Sequence, residues 1–130
     1  MKVLDATFLV DYLTNHPSAI QYLDDHSSER FVVPLPAFAE ILVGEGNGPD
    51  ASDIPGARDA LSWAEVYPVD EQTAAHAAEI ADEIGPEGPY LTGMDGLIAA
   101  VGRELGAPVV SADSDLTHPE TRAVIDIEEY

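Results

Sequence analysis

The chain has 130 residues, 45% of them hydrophobic, and its 25 acidic residues against five basic ones give a formal net charge of −20. It contains no cysteine, which removes disulfides, thiolate metal sites and a cysteine nucleophile from consideration. No apolar run approaches the roughly 18–20 residues of a membrane span, and with Lys2 as the only lysine a basic surface for nucleic acid is excluded as well.

A chain of this length is expected to fold as one domain over residues 1–130, burying roughly 65–70% of its unfolded surface. Regular apolar periodicity argues against disorder despite the charge. The acidic excess fits a high-salt cytoplasm, where the Debye length shrinks to about 3 Å near 1 M salt; the alternative is an acidic protein with a basic partner. The N-terminus lacks the basic-then-apolar pattern of a signal peptide, so a cytoplasmic protein with no membrane association is expected.

In chain order, residues 2–5 read as a short buried strand, followed by a helix from Thr7 to about Leu13 and a second helical piece over Ser18–Asp25. Phe31-Val32-Val33 is the next strand, and Pro36 fits the first turn of a helix that carries Glu40. Residues 44–56, rich in Gly, Pro, Asp and Asn, read as an irregular loop, followed by a helix over Ala57–Ala64. Val66–Val69 is predicted as an edge strand because it contains Pro68. Asp70 is the expected N-cap of a helix over Glu71–Ile84, with Thr73, Ala77, Ile80, Ala81 and Ile84 at helical spacing. A helix over Asp95–Leu105 stopped by Gly106, a strand over Pro108–Ser111 and a last strand over Val124–Ile127 complete the pattern. Alternating strands and helices predict an α/β fold around a mostly parallel sheet.

Four acidic residues stand at the edges of apolar runs: Asp5, Glu40, Asp95 and Asp113. A carboxylate beside a core is costly unless a cation or hydrogen-bond donors compensate it. Asp5 and Asp113 directly follow strands, and Asp95 opens a helix, so all three belong on the carboxyl rim of the sheet, where such folds bind ligands. Glu40 lies one helical turn deeper. Gathered together, these oxygens suit Mg²⁺ or Mn²⁺, which lower the pKa of a water and stabilise a leaving oxygen without any protein nucleophile. Asp115 is a candidate fifth carboxylate. Thr7 is placed to cap the first helix and hold Asp5, and Ser111 to support Asp113. Each acid has a simpler reading beside this one, as a helix cap for Asp95 or a solvated charge for Glu40. His16, His26, His76 and His118 share no ligand spacing and read as surface or loop residues.

Two other aspartate chemistries fail on the sequence. A phosphatase of the haloacid dehalogenase type needs a second aspartate where Thr7 stands, and a phospho-accepting receiver needs a late lysine.

Val3-Leu4-Asp5-Ala6-Thr7-Phe8-Leu9-Val10, Pro36–Gly44 around Glu40, Thr92–Ala100 around Asp95, and Gly106–Leu116 with Asp113 and Asp115 together resemble the PIN domain family. The likeness is specifically to VapC-type toxin ribonucleases of type II toxin–antitoxin pairs. The resemblance implies a three-layer α/β/α sandwich with a central, mostly parallel sheet of four to five strands. It also implies an endoribonuclease dependent on Mg²⁺ or Mn²⁺, a homodimer, and inhibition by a cognate antitoxin protein. The family's four acidic positions fall on Asp5, Glu40, Asp95 and Asp113, and its small hydroxyl residues on Thr7 and Ser111. Leu116 replaces a common aromatic, and the basic residues that often hold RNA are scarce. An RNA-processing nuclease of the same family and a non-catalytic interaction domain are the alternatives.

Overall fold

A computed structural model describes residues 1–130 and places the first strand, β1 (Lys2–Leu4), at the centre of the sheet. Val3 and Leu4 are fully buried there, as a central parallel strand covered on both faces requires. Around it the order is β3-β2-β1-β4-β5, with β2 (Phe31–Pro34), β3 (Glu65–Tyr67), β4 (Val109–Val110) and β5 (Ile127–Glu128). Every adjacent pair is parallel, with Val3 opposite Val32 on one side and Val109 on the other. Helices flank this five-stranded sheet, giving the expected three-layer α/β/α sandwich. None of them is long and apolar enough to cross a membrane.

The chain builds outward from β1 through β2 to β3, then returns across the sheet to add β4 and β5. The direction of winding therefore reverses between β1 and β4. In open parallel sheets the crevice at such a reversal, beyond the carboxyl ends of the strands, is where ligands bind. Asp5 follows β1 and Asp113 lies three residues past β4, so the topology sets both acids at this crevice.

The helices are α1 (Ala6–Leu13), α2 (Pro17–Asp25), α3 (Leu35–Gly46), α4 (Ile54–Ala60), α5 (Glu71–Ile84), α6 (Gly93–Leu105) and α7 (Pro119–Arg122). Asp70 caps α5 in a reciprocal capping box with Thr73, and Gly106 closes α6 in the left-handed conformation at φ 60°, both as the sequence predicts. Several boundaries differ. α3 runs through Gly44 and Gly46, because a glycine in a helix costs only about 1 kcal/mol and Glu45 between them accepts from Asp53 N at 2.9 Å. α4 starts earlier than predicted, with Asp53 as N-cap and Pro55 in its first turn. The predicted strand over Val124–Ile127 is instead the end of a turn, with β5 shifted to Ile127–Glu128. α7 was not anticipated; it is a single turn capped by His118, whose ring accepts from Glu120 N at 3.1 Å. His16 caps α2 in the same way, so two of the histidines read as plain surface residues terminate helices.

α6 packs tightly on β4, and a glycine makes this possible. A Cβ on Gly102 would lie 2.6 Å from Val109 Cγ2 and 3.2 Å from Ala107 O. The same helix carries Asp95 and the same strand leads to Asp113, so this close approach sets the spacing of the two acids. Gly102→Ala is expected to lower stability by about 1–3 kcal/mol through overpacking, read as a lower urea midpoint. Gly44→Ala, where an added Cβ meets nothing within 4 Å, is expected to raise it by roughly 0.5–1 kcal/mol.

Candidate metal centre

Asp5 is 2% exposed, and three protein donors reach it. Its Oδ1 accepts from the Thr7 hydroxyl at 2.7 Å and from Phe8 N at 3.1 Å, and its Oδ2 accepts from the Ser111 hydroxyl at 2.5 Å. Asp5, and not Thr7, is therefore the N-cap of α1. Both hydroxyls also accept: Ala112 N donates to Thr7 Oγ1 at 3.0 Å, and Asp113 N donates to Ser111 Oγ at 2.9 Å. One carboxylate thus ties the end of β1, the first turn of α1 and the loop after β4 into a single hydrogen-bonded unit. Burial pushes the Asp5 carboxyl above its ordinary range, the three donors oppose this, and the charge of Asp113 adds to the rise.

Asp113 uses one oxygen for structure and leaves the other free. Its Oδ1 accepts from Asp115 N at 2.9 Å and Leu116 N at 3.1 Å, which turns the chain sharply. The turn is locked by Thr117 Oγ1, donating to Asp113 O at 2.8 Å, and by Thr121 Oγ1, donating to Asp115 O at 2.7 Å. Thr121 is fully buried on α7, so this unforeseen turn of helix is what fixes Asp115.

Asp95 is the third residue of α6, two positions further into the helix than expected. Thr92 is the cap, and its hydroxyl accepts from Asp95 N at 3.1 Å. The Thr-x-x-Asp spacing of Thr92-Gly93-Met94-Asp95 carries this in the sequence. The capping job being taken, the Asp95 carboxylate is free to face the crevice. Carboxylate oxygens of Asp95, Asp113 and Asp115 lie within 4.8 Å of one another. At that separation each ionised pair repels by roughly 3 kcal/mol at an effective dielectric near 20. Burial, then Asp113, Asp115 and Asp5, push the Asp95 carboxyl up to about 6, against the Thr92 hydroxyl.

Glu40 and Asp5 stand outside this group of three. Glu40 is exposed on α3 and lines a cleft of about 260 Å³ with Ala6, Thr7, Val10 and Asp11. It therefore borders the same Thr7 that braces Asp5. Asp11, which sequence reasoning passed over, accepts from the Tyr130 hydroxyl at 2.6 Å, and the Tyr130 ring packs edge-on against Phe8 at 4.8 Å. Nothing local in the sequence announces that contact, which spans nearly the whole chain.

No cation of the chain relieves the three carboxylates. Lys2 pairs with Glu128, Arg30 with Glu65, Arg103 with Glu83 and Arg122 with Glu129. Arg58 lies in a separate cleft with Phe38 and Pro55. Three partly buried oxygen donors, one of them with a raised pKa and none with a basic neighbour, fit a hard divalent cation.

The family model for the PIN domain matches residues 2–121, and the chain belongs to that family. Its fold is shared by several solved structures. VapBC2 from Rickettsia felis bound to a promoter DNA fragment superposes with a TM-score of 0.81 at 18% identity, covering 99% of this chain and 98% of the other. FitAcB from Neisseria gonorrhoeae gives 0.80 at 21%, covering 98% and 96%, and DNA-bound VapBC from Salmonella typhimurium gives 0.80 at 22%, with the same coverage. No curated protein matches the sequence.

The raised pKa of Asp95 sets the sign of a pH effect in metal-free protein. The folded state keeps that proton up to about pH 6, whereas an unfolded aspartate loses it near 4. The resulting stabilisation is full below about pH 4 and is lost as pH rises through about 6. Asp95→Asn is expected to flatten the fall in stability between these values relative to the native chain, measured by urea unfolding in chelator at several pH values.

Proposed function

We propose that this chain is a divalent-metal-dependent endoribonuclease, the toxin of a type II toxin–antitoxin pair. The observation that carries the reading is the meeting of Asp95, Asp113 and Asp115 at the switch point of a PIN-fold sheet, with no basic side chain among them. Residues 1–130 are read as one nuclease unit. Asp95, Asp113 and Asp115 would hold Mg²⁺ or Mn²⁺, with Asp5 and Glu40 flanking them as further catalytic and metal-facing acids. Bound there, the metal would supply Lewis-acid stabilisation of a phosphodiester and acidify a water for in-line attack.

The chain's own residues supply placement. Asp5, held by Thr7 and Ser111, fixes the loop that carries Asp113 and Asp115. Rigid support of this kind is what a metal ligand set needs to keep its geometry. The Asp113 turn spends one oxygen on the backbone and presents the other to the crevice. Glu40 stands on the α3 side, lining with Thr7 the neighbouring cleft, where its exposed carboxylate would serve as a further acid of the site.

The similar solved structures are described as VapBC and FitAB assemblies, which supports a cognate antitoxin as partner; RNA as substrate and a homodimer as the assembly complete the proposal. An arginine from the antitoxin is a fitting inhibitor, since it would meet three unneutralised carboxylates. The acidic surface fits a cytoplasm at high salt.

RNA cleavage in molar KCl with Mn²⁺ tests the reading. Asp95→Asn and Asp113→Asn are each expected to lose at least about 100-fold in cleavage, and Ser111→Ala to weaken Mn²⁺ binding by about 10- to 100-fold in calorimetry. Equal cleavage by the native chain and both aspartate variants would remove the metal-nuclease mechanism.

A further inference from the structure

Four of the five tyrosines are engaged within the fold. Tyr22, Tyr67 and Tyr130 donate to Glu128, Glu104 and Asp11, and Tyr12 packs edge-on against Trp63. Tyr90 is different. It is 92% exposed, far more than any other large hydrophobic side chain of the protein. It also sits on the short segment leading into α6, five residues before Asp95. Chain geometry limits its Cα to within about 18 Å of the Asp95 Cα.

Behind Tyr90 lies an uncharged cleft of about 380 Å³ between α5 and α6. Ala77, Ala78, Ala81, Leu91 and Leu97 wall it, together with Gly93 and Gly96 in the first turn of the helix that carries Asp95. Met94, 38% exposed, stands beside the same turn. The exposed ring and the apolar recess therefore adjoin the segment that opens the Asp95-bearing helix, the recess lying on the face of α6 toward α5.

We propose that Tyr90 is a substrate-binding residue, stacking on a base of single-stranded RNA and holding the strand beside Asp95, Asp113 and Asp115. The charge distribution favours this occupant. Four of the five basic side chains are committed to ion pairs with acids, so the protein has almost nothing with which to grip phosphate directly. Stacking needs no cation, accepts any base, and is worth on the order of 1–3 kcal/mol per base. It also escapes the steep salt penalty of phosphate contacts. For a chain with net charge −20, it is the mode of RNA contact least opposed by the protein's own field. The position five residues before Asp95 keeps the ring within reach of a strand several nucleotides long lying in the crevice.

This inference rests on the nuclease reading, and one experiment separates the two. Tyr90→Ala, Tyr90→Phe and Tyr90→Trp are compared with the native chain in RNA cleavage, and in binding of a fluorescently labelled single-stranded oligoribonucleotide, with Mn²⁺ in molar KCl. Oligomeric state is followed by light scattering. Because Tyr90 makes no buried contact, the variants should fold normally. Tyr90→Ala is expected to raise KM and Kd about fivefold or more with kcat retained, while Phe stays within about twofold of native and Trp binds at least as tightly. Unchanged affinity in Tyr90→Ala overturns the proposal. So does a loss of kcat at constant KM, or a changed oligomeric state with normal RNA affinity, which would assign the ring to a protein interface. If the native chain binds the oligonucleotide without cleaving it, the nuclease reading fails and the binding series still decides the role of Tyr90. If it does not bind, stacking fails.

Discussion

The buried carboxylate of Asp5 is the constraint on which the rest of the crevice depends. It is costly in isolation, and its three donors are drawn from two distant parts of the chain. Because Ser111 and Thr7 each donate to Asp5 and accept from the following loop, the cost of burying one charge is converted into a fixed register between β1 and the turn after β4. That turn then determines where Asp113 and Asp115 point. Asp5 thus acts on the neighbouring acids mainly through backbone, and only secondarily through its field.

The distribution of the few cations is as informative as the cluster of acids. Lys2 is held by Glu128 within the sheet, while three arginines join elements around the periphery, where Arg103 spans α5 and α6 by bridging to Glu83, and Arg30 ties the chain before β2 to β3 through Glu65. Exposed pairs of this kind contribute little to stability. Their effect here is to leave the crevice without an internal counterion. Mutual repulsion and burial therefore remain unrelieved at Asp95, which is the electrostatic signature of a functional position.

The parts of this structure legible in the sequence are those with a local cause. Asp70 and Thr73 announce the start of α5, Gly106 announces the end of α6, and apolar runs announce the central strands. The acids at the carboxyl rim follow from topology, because a residue just after a parallel strand has only one end of the sheet to occupy. What escaped reading depends on contacts between distant segments. α3 continues through two glycines, with Glu45 between them tied to Asp53 N at the start of α4. α7 exists because Thr121 is buried against the carbonyl of Asp115, and the Tyr130–Asp11 contact joins residues more than 100 positions apart. The division of labour among the acids is of the same kind. Asp5 reads as a principal acid and Asp115 as a fifth candidate, yet it is Asp5 that the donors enclose and Asp115 that joins Asp95 and Asp113.

The strand order has a consequence for biosynthesis. β1 is made before the other four strands but takes the centre of the sheet, and one of its two neighbours, β4, lies more than 100 residues later. Until Val109 and Val110 have been made, Asp5 has no Ser111 to bind and its flank stays open. Long-range parallel pairing of this sort forms slowly. A growing chain, or one cut short before β4, therefore lacks the assembled crevice, which forms only after Ser111 and the loop beyond it have been made.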